Sequence, residues 1–168
     1  SDVCSSVLGR VFGSDAEPPP DNDIAPYTDL GALFGPDLVE AYHGADLVFC
    51  PSWYESFPLP PIEAMACGAP VVTTKDGTED YAEDGVSAVV VAPRDIKQMA
   101  AGIIRVASDP EFAFRLSVAG RERAEKFTWA RAVEGLEGIF DSLREAGRSS
   151  ADQSLLLTSA SAGRGGPF

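Results

Sequence analysis

The fold follows from residues 46–74, DLVFCPSWYESFPLPPIEAMACGAPVVTT. Leu47 to Cys50 is a continuous apolar run of strand length, which suits a strand covered on both faces, as in parallel sheets. PPIEAMACG follows as a short helix, with Pro61 in its first turn and Gly68 at its end. APVVTT is then a second buried strand. A strand, a helix and a strand in this order form a crossover, so the two strands run parallel. The connection into the helix carries Glu55, and Glu63 stands eight positions later, with Pro58, Pro60 and Pro61 between them.

The same alternation extends in both directions. SSVLGRVFGSD reads as a strand through Val7, Leu8, Val11 and Phe12 that ends at Gly13, AEPPPDNDIAPY as a loop, and TDLGAL as a short strand. GPDLVEAYHGAD reads as a helix with Pro36 in its first turn and Leu38, Val39 and Tyr42 on one face. After residue 74, TEDYAED predicts a helical turn and SAVVVAP a third buried strand. RDIKQMAAGIIRVASD is an amphipathic helix with Ile96, Met99, Ile103, Ile104 and Val106 toward one side. Two more helices follow, PEFAFRLSVAGRERAEKF and WARAVEGLEGIFDSLREA; in the second, Trp129 is expected as an anchor, and Leu136, Ile139, Phe140 and Leu143 recur at helical spacing. Strands alternating with crossover helices predict an α/β fold with a parallel sheet. Residues 1–146 are expected to form one domain. Residues 147–168, rich in Ser, Gly and Ala, are expected to be a disordered tail.

Composition narrows the function. The 168 residues are 45% hydrophobic and 23% charged, as in ordinary soluble globular chains. The net charge is −13, and Arg10 is the only basic residue before Lys75. Such a balance excludes a phosphate-backbone binder and disfavours anionic membrane surfaces. No apolar run reaches the length of a membrane span. The start has no basic n-region followed by a long apolar stretch, so it is not a signal peptide; the absence of an initiator Met suggests a fragment or a processed chain. Cys4, Cys50 and Cys67 are odd in number and lack metal-ligand spacing, so they read as buried thiols of a cytoplasmic protein. His43, the single histidine, has no partner at ligand spacing. Met65 and Cys67 read as core.

In an open parallel sheet, ligands sit beyond the carboxyl ends of the strands. The Glu55 loop leaves such an end and enters a helix N-terminus, which favours anions. Carboxylates are poor phosphate ligands but good acceptors for paired hydroxyls. A nucleotide sugar has both groups, a diphosphate between two polyols. Taken alone, Glu55 and Glu63 could be a solvated loop charge and a charge near a helix start. The full string argues otherwise.

That string, YESFPLPPIEAMACGAPVVTT, preceded by LVEAYHGADLVFCPS with its Tyr42, Ala45 and Asp46, closely resembles the donor-binding half of GT-B glycosyltransferases of the retaining, metal-independent family 4, or "group 1". Its hallmark is Glu, seven residues, Glu, inside E-G-F-G-L-P-x-x-E-A-M-A-C-G-x-P-V-V. The resemblance covers roughly residues 7–140, including DGTEDYAEDGVSAVVVAPRD. It implies a Rossmann-like doubly wound parallel sheet, the C-terminal lobe of a GT-B fold, and transfer of a sugar from a nucleotide sugar to a glycan or polysaccharide with retention of configuration. It makes Glu55 the residue that contacts the transferred sugar, the catalytic assignment, and Glu63 the residue that holds the donor ribose. Ser56, Phe57 and Leu59 in the intervening turn, and Lys75 and Asp76 after the VVTT strand, complete the expected donor site. No metal or other cofactor is implied, since the nucleotide sugar is itself substrate.

Ser56 and Pro58 stand where the family pattern has glycine, and Pro58, Pro60 and Pro61 each lack an N–H. The remaining free amides at the helix start are expected at Ile62 and Glu63. Arg94 and Lys97 read as surface charges. The family's first donor-lobe strand, with its Arg and Lys, is not legible, nor is the acceptor lobe, which is the expected partner. In the order 3-2-1-4-5-6 that first strand is central. The sheet is therefore expected either to be interrupted or to pair VLGRVF directly with DLVFC. The rival readings are a non-catalytic nucleotide-sugar-binding domain and another GT-B activity, such as an epimerase or a phosphorylase.

Overall fold

A computed structural model describes residues 9–11 and 27–162. The chain divides into two units, residues 1–124 and residues 125–168.

Among the described residues, the first unit contains five strands: β1 (Gly9–Val11), β2 (Tyr27–Asp29), β3 (Val48–Cys50), β4 (Val71–Thr74) and β5 (Val89–Val91). All described pairings are parallel. They fall into two ladders, β1–β2 and β3–β4–β5. No ladder joins β1 to β3 among the described residues, so of the two sheet arrangements expected, the interrupted one is found. Val7, Leu8 and Phe12 of the first predicted strand lie outside the described residues, as does most of the loop that follows. The short strand expected in TDLGAL falls earlier, at Tyr27–Asp29.

β4 is the middle strand of its ladder and is buried throughout. Its alternating side chains separate two apolar layers. Val71 packs with Tyr42 of α1 (Gly35–His43) and with Ile62, Ala64 and Met65 of α2 (Leu59–Ala66). Val72 packs with Val106 of α3 (Ile96–Ser108) and with Phe112 and Leu116 of α4 (Pro110–Ala124). Helices on both sides make this a doubly wound α/β arrangement. α2 ends as its sequence predicts: Gly68 takes φ +81° after the last turn, the left-handed conformation glycine tolerates. Asp95 caps α3 by accepting from the Gln98 amide.

β3 differs from expectation. It is an edge strand of its ladder, and Phe49 is 51% exposed, so it is covered on one face only. Ile96 and Ile104 are also exposed, whereas Met99, Ile103 and Val106 face the core. Ile96 opens α3 and Ile104 lies on its outer side, off the buried stripe. The helical turn expected in TEDYAED is present as a single turn: the Ala82 amide donates to the Thr78 carbonyl four residues back, and the Tyr81 amide donates to the same oxygen.

In the second unit, α5 runs from Trp129 to Ala162. Leu136, Ile139, Phe140 and Leu143 do lie on a helix, but each is more than half exposed, and so is Trp129. The division between units falls at residue 124, before α5, and not at residue 146. The helix also continues through residues 147–162, which we expected to be disordered; no Gly or Pro interrupts residues 148–162. Residues 163–168 lie outside the described residues.

Gly77, in the loop after β4, carries the tightest backbone approach. Its φ is +91°, and a Cβ there would collide with the Glu55 carbonyl. Gly77→Ala should lower stability by about 3 kcal/mol, combining strain with displacement of the Glu55 peptide. Gly85, at φ +71° with open space around it, should cost only about 1 kcal/mol on the same change. Urea midpoints of the two variants test the difference.

Candidate donor site

Because β3, β4 and β5 are parallel, the segments that leave their carboxyl ends emerge on one edge of the ladder. These are residues 51–58, 75–88 and 92–95. The first carries Glu55.

The second segment supports the first from behind. The Tyr81 hydroxyl donates to the Pro58 carbonyl at 2.7 Å, and its ring meets Phe57 edge-on, with centroids 5.2 Å apart. Gly77 lies against the Glu55 peptide. The Thr74 hydroxyl donates to the Ser52 carbonyl at 2.7 Å, just after β3. The Thr78 hydroxyl donates to the Thr74 carbonyl at 2.6 Å and so holds the second segment's own start. A buried hydrogen bond contributes about 1 kcal/mol net, and an unmade one costs more. The elbow from residue 52 to residue 58 is thus fixed at both ends.

The third segment touches the first through Arg94, whose guanidinium lies 4.3 Å from the Trp53 ring centroid. Arg94 has φ +65°, a left-handed conformation rare for a residue with a Cβ. A shallow hollow of about 450 Å³, lined by Ala92 to Lys97, opens beside it and is lined by neither carboxylate.

Glu55 and Ser56 are exposed on the elbow. Phe57 is partly covered by Tyr81. Leu59 opens α2 with its side chain half exposed. Glu63, on α2, is half-buried and accepts a hydrogen bond from the Tyr42 hydroxyl at 3.1 Å. Lys75 is exposed just past β4, with its amide donating to the Val91 carbonyl, and Asp76 is half-buried beside it. Met65 is fully buried and Cys67 half-buried against the core, as expected.

The helix start differs from the sequence expectation. α2 begins at Leu59, so the amides of Ile62 and Glu63 are consumed inside the helix. Of the first positions, Pro58, Leu59, Pro60 and Pro61, Leu59 alone has an N–H. The Gly77 amide is also engaged, donating to the Glu79 carboxylate at 2.8 Å. Sequence reasoning missed Tyr42, Tyr81 and the Arg94–Trp53 contact, because each joins segments far apart in the chain. Tyr42 had one signal, its place in the matched string.

Parallel strands between two helical layers, with a braced carboxylate-bearing elbow at their carboxyl edge, define the Rossmann-like class of lobe. The family model described as "Glycosyl transferases group 1" matches residues 31–123, and the chain belongs to that family. It is 41% identical over 118 residues to a D-inositol 3-phosphate glycosyltransferase of Saccharomonospora viridis, covering 70% of this chain and 27% of that protein. It is 44% identical over 100 residues to the same-named enzyme of Mycolicibacterium smegmatis, covering 59% of this chain and 23% of that one. The chain thus spans about a quarter of the length of these curated relatives. Among solved structures, sucrose-phosphate synthase from Thermosynechococcus elongatus aligns with a TM-score of 0.66 and 32% identity, over 71% of this chain and 31% of the synthase. Anabaena HepE in complex with UDP aligns with a TM-score of 0.64 and 25% identity, over 69% of this chain and 32% of HepE. These neighbours are GT-B glycosyltransferases, which makes the fold that of a GT-B lobe. No helix among the described residues is long and apolar enough to cross a membrane.

Three groups near the elbow hold their protons unusually firmly. Burial pushes the Cys50 thiol from 9.0 up to about 12. The Tyr42 phenol is raised well above its ordinary value by burial and then by Glu63; the Tyr81 phenol is raised by burial and then by neighbouring acidic groups including Glu55. For all three the folded state keeps protons that the unfolded chain releases. Their contribution to stability is complete below about pH 8.5 and is lost as pH rises above it. The urea midpoint should therefore be level from about pH 7 to 8 and fall from about pH 9 upward. Cys50→Ala should flatten the first part of that decline.

Proposed function

We propose that this chain is the donor-binding half of a glycosyltransferase that takes a sugar from a nucleotide sugar and transfers it, with retention of configuration, to a glycan or polysaccharide. The observation that carries the reading is the pair of carboxylates within the family match. Glu55 stands on an elbow braced by Gly77 and Tyr81 of the neighbouring segment, and Glu63 on the helix it leads into. The UDP in the HepE complex supports a nucleoside diphosphate as the leaving group.

In this reading Glu63 accepts from the ribose hydroxyls and Glu55 from hydroxyls of the transferred sugar. Glu55 orients the sugar and is not a nucleophile. The elbow is rigid before the ligand arrives, so little ordering is required on binding. Charge on the departing diphosphate is stabilised by the field at the α2 start, by the Leu59 amide and by exposed Lys75. The acceptor and its lobe lie beyond the chain described. The names of the relatives favour a second acceptor class, an inositol phosphate, and analysis of the sugar-transfer product separates it from a glycan.

Calorimetric titration of the full-length protein with UDP, GDP, ADP and their sugar conjugates tests the site. Glu63→Gln should weaken nucleoside diphosphates and nucleotide sugars alike, by about 10-fold. Glu55→Ala should weaken the nucleotide sugar by a similar factor and leave the free diphosphate unchanged. Unchanged affinity in both variants would overturn the assignment.

A further inference from the structure

We propose that Tyr42 is a positioning residue for Glu63, and that it sets the preference of the site for a ribose over a 2′-deoxyribose donor. The inference rests on the reading of Glu63 as the ribose ligand and adds the group that aims it.

Tyr42 is the one buried residue of α1, with 2% of its surface exposed, and its ring packs in the layer formed by Ile62, Met65 and Val71. From there its hydroxyl reaches across 21 residues of sequence to Glu63 Oε2 at 3.1 Å. A phenol has one proton to donate, so it engages one carboxylate oxygen and leaves lone pairs on the other for a ligand. A glutamate half in solvent has three side-chain torsions to fix. A phenol anchored in the core removes much of that freedom before the donor arrives. The phenol also remains the donor at any working pH, since burial and Glu63 both favour its neutral form.

The bond could equally serve only to join α1 to α2. The two roles differ in what they do to a ligand lacking one hydroxyl. A structural link, once cut, weakens ribo- and 2′-deoxyribonucleotides equally. A positioning bond, once cut, weakens the ribonucleotide selectively.

The test uses whichever of UDP, GDP or ADP binds tightest, with its 2′-deoxy counterpart, titrated into the full-length protein. The native protein should prefer the ribo form by about 10-fold. Tyr42→Phe keeps the ring in the core and should reduce that preference to about 2-fold or less, with 4-aminophenylalanine at position 42, which restores a donor, recovering it. Glu63→Gln should lose the preference as well. A preference lost in Glu63→Gln but intact in Tyr42→Phe overturns the inference and leaves the donor-site reading standing. No preference in the native protein, or one unaffected by Glu63→Gln, overturns the donor-site reading and the inference with it.

Discussion

The Glu55 peptide and the α-carbon of Gly77 are so close that no side chain fits between them. That one steric requirement links two loops that follow different strands of the ladder. Once Gly77 is in place, the turns after it bring Tyr81 beneath Pro58 and against Phe57. The Thr74 hydroxyl fixes the other end of the elbow at Ser52. The loop that carries Glu55 therefore derives its shape from its neighbour more than from its own sequence. Its prolines narrow the backbone choices, and the contacts with the next loop select among them.

The electrostatics of the edge are leaner than a helix start usually provides. Three of the four residues at the beginning of α2 have no N–H, and the Gly77 amide is engaged by Glu79. The helix field remains, because it comes from all the peptides, but few donors point outward. In the proposed donor complex, anion stabilisation would then fall more heavily on side chains. Lys75 is exposed at this edge, and Arg94 is already stacked on Trp53.

How much of this could be read from residues alone depended on the range of the interaction. β4 and α2 were legible because their signals are local: an apolar run of strand length, a proline near the start, a glycine after the end. The separation into two ladders followed from the position an illegible strand holds in the doubly wound order. Ile96 and Ile104 misled because apolar character was taken for burial, and the inner face of α3 is narrower than its apolar content. α2 begins at Leu59, one residue before the PPIEAMACG segment expected to form it, since prolines are tolerated within a first turn. The Tyr42–Glu63 bond spans 21 positions, and no periodicity encodes it. Both carboxylates were visible in sequence, but the groups that brace them were not.

Bracing from behind leaves the outer face of the elbow free of structural duty. Ser56 is exposed, and Leu59 presents half its side chain outward. Changes at these two positions alter the surface offered to a ligand without disturbing the Gly77 and Tyr81 contacts that keep the elbow in shape. Under the proposed donor-site reading, the face a ligand meets and the contacts that shape the elbow therefore reside in different residues.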